Sequence, residues 1–244
     1  MAETILYEKQ GNIVTMTLNR PDSLNAINRL LRQELQDAIV EFDNDPEAFV
    51  AIITGSGRAF CSGRDLKERA DDNAQGVQAK ASASMTKESP FMWPRTWKPM
   101  IAAVNGFALA GGWSIAQMCD LRIASEEAKL GISETRWSLL PPFGTILPKQ
   151  MNLASVLELV LTAQPVTAQR AYDMGFLNKV VPAGDLMEEA MAMAQQIADN
   201  APLAVQTFKE LAYRGLNMPN QDISALTYQM YDALLLTEDS KEGP

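Results

Sequence analysis

Residues 100–134 read MIAAVNGFALAGGWSIAQMCDLRIASEEAKLGISE. Met100 to Val104 is a short, wholly apolar run, the pattern of a strand buried on both faces. A glycine-bearing turn follows, a helix opens at Gly111-Gly112, and Leu121 to Ala124 reads as a second short strand. A strand that ends in Gly-Gly and feeds a helix leaves backbone N–H groups pointing outward at the positive end of that helix. Such an end can hold a developing negative charge, and the carboxylate of Glu134 can move a proton beside it.

Working outward, the flanking chain reads as an α/β core. Thr4 to Lys9 and Ile13 to Leu18 flank Gly11-Asn12 as a hairpin. Leu31, Leu35, Ala38, Ile39 and Phe42 recur at helical spacing, and Asn44-Asp45-Pro46 ends that helix. Phe49 to Thr54 reads as a buried parallel strand, so strand, crossover helix and strand follow one another. Residues 68–90 are polar and alanine-rich, a helical excursion over a site. Trp93 and Trp97 are framed by Pro94 and Pro99 ahead of the Met100 strand. Helices are expected near Ile146 to Met151, Ala154 to Leu161 and Ala168 to Met174, with a last strand at Val180-Val181. Helices over Leu186 to Ala198, Leu203 to Arg214 and Asp222 to Leu236 complete the chain, and Thr237 to Pro244 is expected to fray. The organisation is an α/β core over residues 1–183 and a helical part over residues 184–244.

Composition narrows the chemistry. The 244 residues are 47% apolar and 21% charged, with a net charge of −9. That balance disfavours nucleic acid and anionic membranes as partners, while local amides and a few lysines can still hold a phosphorylated small molecule. Met1 to Gln10 has no apolar core of a signal peptide, and the two cysteines, Cys61 and Cys119, have no metal spacing. A reducing, cytoplasmic setting is expected. Zero histidines exclude a Ser-His-Asp triad, a Cys-His dyad and a histidine-ligated zinc site. Proton transfer near neutral pH falls to carboxylates, Lys, Tyr, Cys or water.

Three segments in this order, NRPDSLNAI at 19–27, GRAFCSGRDLKE at 57–68 and AAVNGFALAGGWSIAQMCDLRIAS at 102–125, resemble the enoyl-CoA hydratase/isomerase (crotonase) superfamily. AQRAYDMGFLNKVVP at 168–182 is similar to a fourth segment of that family. The resemblance implies a spiral of ββα units, the fold shared by crotonases and ClpP, with helices at the C-terminus that assemble trimers or hexamers. It implies a coenzyme A thioester as substrate and no cofactor besides. It also implies a further C-terminal helix, of which Glu238 to Pro244 reach only the beginning.

By motif position the thioester oxygen would be held by the backbone N–H groups of Arg64 and Gly111, with Glu134 as acid–base. Turn-making glycines and a surface glutamate are the plainer readings of the same residues. Ala26, Ser62, Asp65 and Leu66 fall where the family meets adenine and pantetheine, and Lys67 where a phosphate could be met. Asp120 matches a structural aspartate. Arg64 stands where a small or apolar residue is usual; its side chain either faces the substrate or pairs with Asp65 or another acid nearby. Trp113 and Trp137 either wall an acyl pocket or pack in the core.

Ser114 departs from the family pattern. Hydratases of the family commonly carry a second glutamate there; serine can hydrogen-bond water but cannot serve as a carboxylate base. One carboxylate suffices for a double-bond isomerase, and some hydratases and dehydratases of the family also manage with one. The expectation is an enoyl-CoA hydratase or dehydratase, with a single-glutamate isomerase as the nearest alternative. A hydrolase or decarboxylase on the same fold is more distant. A catalytically silent paralogue that binds CoA esters or serves assembly is the alternative of another class.

Overall fold

The computed structural model describes residues 4–76, 93–238 and 240. The chain begins as β1 (Ile5–Gln10) and β2 (Ile13–Leu18), paired antiparallel around Gly11 at φ +60°. Helix α1 (Arg29–Asn44) follows, its first turn capped by Asn28, whose Oδ1 accepts from Leu31 N at 2.9 Å. It buries the five apolar residues whose spacing marks it. Leu31, Leu35, Ile39 and Phe42 are fully covered, each contributing about 1.5–3 kcal/mol by burial.

The chain continues through β3 (Val50–Gly55), β4 (Ala59–Cys61), α2 (Leu66–Ala74), β5 (Met100–Val104), β6 (Phe107–Leu109), α3 (Gly111–Met118), β7 (Leu121–Ser125) and β8 (Lys129–Gly131). After these come α4 (Leu153–Thr162), β9 (Val166–Thr167), α5 (Ala168–Asp173), β10 (Lys179–Val181), α6 (Leu186–Ala198), α7 (Pro202–Gly215) and α8 (Asn220–Leu234). Only the first turns of the excursion expected over 68–90 are seen, as α2; the rest lies outside the described residues, as does most of the tail expected to fray.

Among the described residues the strands form two sheets. The larger has the order β1-β2-β3-β5-β7-β10 and is parallel from β2 onward. Successive side chains of a strand alternate between faces. Val14, Ala51, Ile53, Ala102 and Val104 join the cluster that contains α1. Ile13, Ile52, Ile101, Ala103 and Ile123 pack instead with Leu186, Ala190 and Ala194 of α6. Both faces are covered, which is why β3 and β5 are uninterrupted apolar runs.

The smaller sheet has the order β4-β6-β8-β9, with β4, β6 and β8 parallel and β9 antiparallel. One difference from expectation lies at Pro142–Lys149, which is a 3₁₀ helix instead of the expected α-helix. Pro148 lies inside it and lacks the N–H an α-helical turn would use.

Asp120, just past α3, ties the last helices to the core. Its carboxylate accepts from Met100 N at 2.8 Å and from the Tyr213 hydroxyl at 3.0 Å. It also pairs with Lys209 at 2.6 Å, whose Nζ donates to the Lys98 carbonyl at 2.8 Å. One side chain thus joins β5 to α7, as its structural reading requires. Burial and the Asp120 carboxylate push the Tyr213 hydroxyl well above its ordinary value.

Candidate active site

The small sheet gathers the three segments that sequence marks for chemistry. Cys61 of β4 pairs with Ala108 of β6, and Leu109 pairs with Gly131 of β8, all in parallel. Gly63-Arg64, Gly111 and Glu134 each follow a strand of this sheet by two or three residues. They therefore leave the same carboxyl edge, the edge of a parallel sheet outside which ligands bind.

Two backbone amides meet there. A Cβ placed on Gly111 would stand 3.8 Å from Arg64 N and 3.6 Å from Gly63 Cα. Arg64 is bridged to Ile27 through its neighbours: Ile27 N donates to Gly63 O at 2.7 Å and Asp65 N to Ile27 O at 3.0 Å. That parallel bridge leaves the Arg64 N–H unused. Neither it nor the Gly111 N–H, at the first position of α3, makes a hydrogen bond among the described residues. The helix dipole adds to the donor strength of the second.

Close approach makes this pairing possible. Gly63 sits at φ +98°, and a Cβ there would lie 2.9 Å from Leu109 O and 3.0 Å from Ala110 Cβ. A Cβ on Gly112 would lie 2.0 Å from Cys61 O, so only glycine lets α3 start against β4. Between them Ala110 takes φ +52°, ψ −117° as the residue before α3. That region is costly for a residue with a Cβ, about 1–3 kcal/mol. Its strain accompanies the turn that aims the Gly111 N–H.

Glu134 opens the short 3₁₀ turn after β8 (Glu134–Trp137) and is half-buried. Its Oε2 is buried without a hydrogen-bond partner among the described residues. Burial, which penalises the charged form, raises its carboxyl above the ordinary carboxylate value; backbone amides of Ser133 and Glu134 offset this only in part. A carboxyl poised upward in this way suits proton transfer near neutral pH.

The chain matches the enoyl-CoA hydratase/isomerase family over residues 8–244. It belongs to that family. Enoyl-CoA hydratase EchA19 of Mycobacterium tuberculosis is 36% identical, the match covering 98% of this chain and 91% of that one. The short-chain-enoyl-CoA hydratase of Clostridium acetobutylicum is 34% identical over 98% of this chain and 92% of its own. The crystal structure of a probable enoyl-CoA hydratase/isomerase from Mycobacterium abscessus superposes with a TM-score of 0.88 at 34% identity, covering 100% of this chain and 94% of that one. The fold is the crotonase fold expected from the motifs.

Of the residues singled out by motif position, Asp65 and Arg64 have their side chains committed elsewhere. Asp65 pairs with Arg20 at 3.0 Å and accepts from the Lys67 and Glu68 amides as the cap of α2. Burial raises its carboxyl, but those bonds outweigh it and hold the group below the usual range. Ser62 N donates to Leu24 O at 3.0 Å, and Ala26 O accepts from Arg20 Nη1. Leu66 and Lys67 face solvent at the start of α2. The Arg64 side chain pairs with an acid, as the plainer reading has it, but with Asp72 at 3.3 Å and not Asp65.

Two tryptophan expectations divide. Trp113 is fully buried, its ring stacked on Phe176 with centroids 3.9 Å apart, so it is a core residue and not a pocket wall. Neighbours on a helix lie about 100° apart, so Trp113 turns into the core while Ser114 does not share its direction. Trp137 is 69% exposed on the 3₁₀ turn that begins at Glu134. Ser114 is buried, and its Oγ accepts from Trp93 Nε1 at 3.2 Å. The Trp93 contact, the Asp72 pairing and the strain at Ala110 have no signal in sequence spacing.

Proposed function

We propose that this chain is an enoyl-CoA hydratase that adds water across the α,β double bond of an acyl-CoA thioester. The observation that carries the reading is the pair of unused N–H groups, Arg64 and Gly111, side by side on the sheet edge that also bears Glu134. The thioester oxygen accepts from both amides. Water oxygen bonds to the β-carbon while the Glu134 carboxylate takes the proton released, and the displaced electron pair moves through the α-carbon onto the thioester oxygen. Glu134 then returns that proton to the α-carbon, the oxygen's charge collapses, and a β-hydroxyacyl thioester leaves. Atoms balance with one carboxylate acting as base and then acid. The Ser114 hydroxyl accepts from Trp93 and keeps its own O–H to orient the water. Coenzyme A is part of the substrate, and the reaction needs no further group.

The backbone of Ala26, Ser62, Asp65 and Leu66 and the Lys67 ammonium line the approach for the nucleotide end of the thioester in this reading. Trp137, exposed beside Glu134, can cover the acyl group. Among the described residues no helix is long and apolar enough to cross a membrane, and both cysteines are free, in keeping with a cytoplasmic enzyme. Phe208 and Tyr228, exposed by 73% and 71% on α7 and α8, offer apolar faces through which trimers, or hexamers of paired trimers, form.

The test is a panel of straight-chain, cyclic and carboxylated enoyl-CoAs followed by mass spectrometry. A gain of one water supports hydration. An isomer of unchanged mass supports the single-base isomerase instead. Binding without turnover of any thioester points to a silent paralogue. Light scattering that returns a monomer removes the assembly expectation.

A further inference from the structure

Ser114 and Trp93 form a buried polar pair, exposed by 4% and 2%. Trp93 precedes β5, and Ser114 lies in the first turn of α3. The indole N–H is the one polar group of a tryptophan side chain, and it can only donate. It donates to Ser114 Oγ at 3.2 Å. That bond decides which way the hydroxyl can act. One lone pair of Oγ is taken by the indole, so the hydroxyl's own hydrogen must point elsewhere.

A serine on a helix can return that hydrogen to the carbonyl four residues back. Here that carbonyl, Ala110 O, accepts the Ser114 N–H at 3.2 Å, and among the described residues the Ser114 hydroxyl donates to nothing. Ser114 also lines a cavity beside α3, where a hydrogen unused by the fold is open to a ligand. It follows Gly111 by three residues, which places the two on one side of the helix, about 4.5 Å apart along its axis. A thioester whose oxygen rests on the Gly111 N–H carries its β-carbon two bonds beyond the carbonyl carbon, within that span.

We propose that Trp93 is a positioning residue: by donating to Ser114 Oγ it makes Ser114 a donor toward the oxygen that joins the β-carbon, and so commits a one-carboxylate site to hydration in preference to a double-bond shift. The inference rests on the hydratase reading. The water oxygen accepts from Ser114 through one lone pair and bonds to the β-carbon through the other. Its proton passes to Glu134, and the serine keeps its own. An ionised glutamate at this position could only accept from the water, so the polarity of the contact is reversed here. Removing and returning a carbon-bound proton needs only the paired amides and Glu134, so that step is independent of Trp93.

The experiment compares the purified full chain with its Trp93→Phe, Ser114→Ala and doubly substituted variants. Two rates are read: hydration of crotonyl-CoA, as kcat and KM, and deuterium uptake by but-3-enoyl-CoA in heavy water, which reports proton removal without water addition. Trp93→Phe should lower kcat for hydration about tenfold, the scale of one lost hydrogen bond, with KM changed less than about twofold. Its deuterium uptake should stay within about twofold of wild type. Ser114→Ala should lower kcat for hydration by a similar factor, and the double variant should fall no further, because the two side chains act as one unit. Trp93→Tyr keeps more of the volume without an indole N–H and gives the same reading if the Phe variant does not fold. Unchanged hydration in the Trp93 variants, losses that multiply in the double variant, or an equal loss of hydration and deuterium uptake would each overturn the inference and leave the hydratase reading standing. Wild-type deuterium uptake with no hydration of any enoyl-CoA defeats the hydratase reading itself, and this inference with it.

Discussion

Replacing Glu134 by Gln should move activity and stability in opposite directions. The side chain keeps its shape but loses the ability to take a proton. Positioned acid–base groups contribute about 10²–10⁴ in rate, so kcat for hydration should fall by that factor, about 2.7–5.4 kcal/mol of barrier. Stability should rise, because the native fold holds a carboxyl that prefers to be protonated: its Oε2 is buried without a partner and burial raises its proton affinity. In the unfolded chain the same carboxyl titrates near its ordinary value, about 4.3. Below that value both states carry the proton and the group costs nothing. As pH rises, the unfolded chain releases its proton first and wild-type stability falls, by at most about 1.4 kcal/mol per pH unit, until the folded carboxyl ionises too. The Gln variant has no such loss. Urea unfolding of both proteins between pH 4 and 9 should show a gap that opens with pH in favour of the variant and then levels. The kcat/KM of the wild type should rise through the same raised value, since the carboxylate is the active base. Undiminished turnover in the variant, or a gap that is flat with pH, would refute the assignment of Glu134 as a desolvated base.

Three further outcomes test the surrounding geometry. Gly112→Ala puts a methyl 2.0 Å from the Cys61 carbonyl, backbone against backbone, and should cost more than the roughly 1–3 kcal/mol of ordinary overpacking, read as loss of soluble protein or a collapsed melting temperature. Ala110→Gly relieves a positive φ at the entrance to α3 and should gain about 1 kcal/mol in chemical denaturation, the relief exceeding the added freedom of the unfolded chain. Burial pushes the Cys61 and Cys119 thiols up to about 12. Both should therefore resist a thiol reagent at pH 8 in the native protein and react at once in urea; a labelled native thiol would contradict their enclosure.

The parts of the fold legible in sequence are those with a period long enough to count. The spacing of Leu31, Leu35, Ile39 and Phe42 announces α1, and the unbroken runs of β3 and β5 announce strands covered on both faces. The smaller sheet is illegible in those terms. β4, β6 and β8 have three residues each, too few to alternate, and only motif order signals that their ends converge. The same limit applies at the candidate site. Gly63 and Gly112 are conspicuous because backbone contact demands them, whereas Gln117 looks like any helical glutamine until its two donors are seen to be engaged. Trp113 misled because nearness to Ser114 in sequence is not nearness around a helix.

The shortness of those strands has a consequence for how the enzyme comes into being. Ala59 and Cys61 find partners at Phe107 and Ala108, and those in turn pair with residues from Lys129 on. Each ladder closes a large loop of chain for very few hydrogen bonds, so it cannot repay that closure by itself. The larger sheet and its two layers of apolar side chains must condense first and hold the crossovers in place. The paired amides at Arg64 and Gly111 are therefore expected to come together only once that larger sheet is in place. Activity is then expected to return after most of the secondary structure on refolding, and to be lost ahead of it on warming.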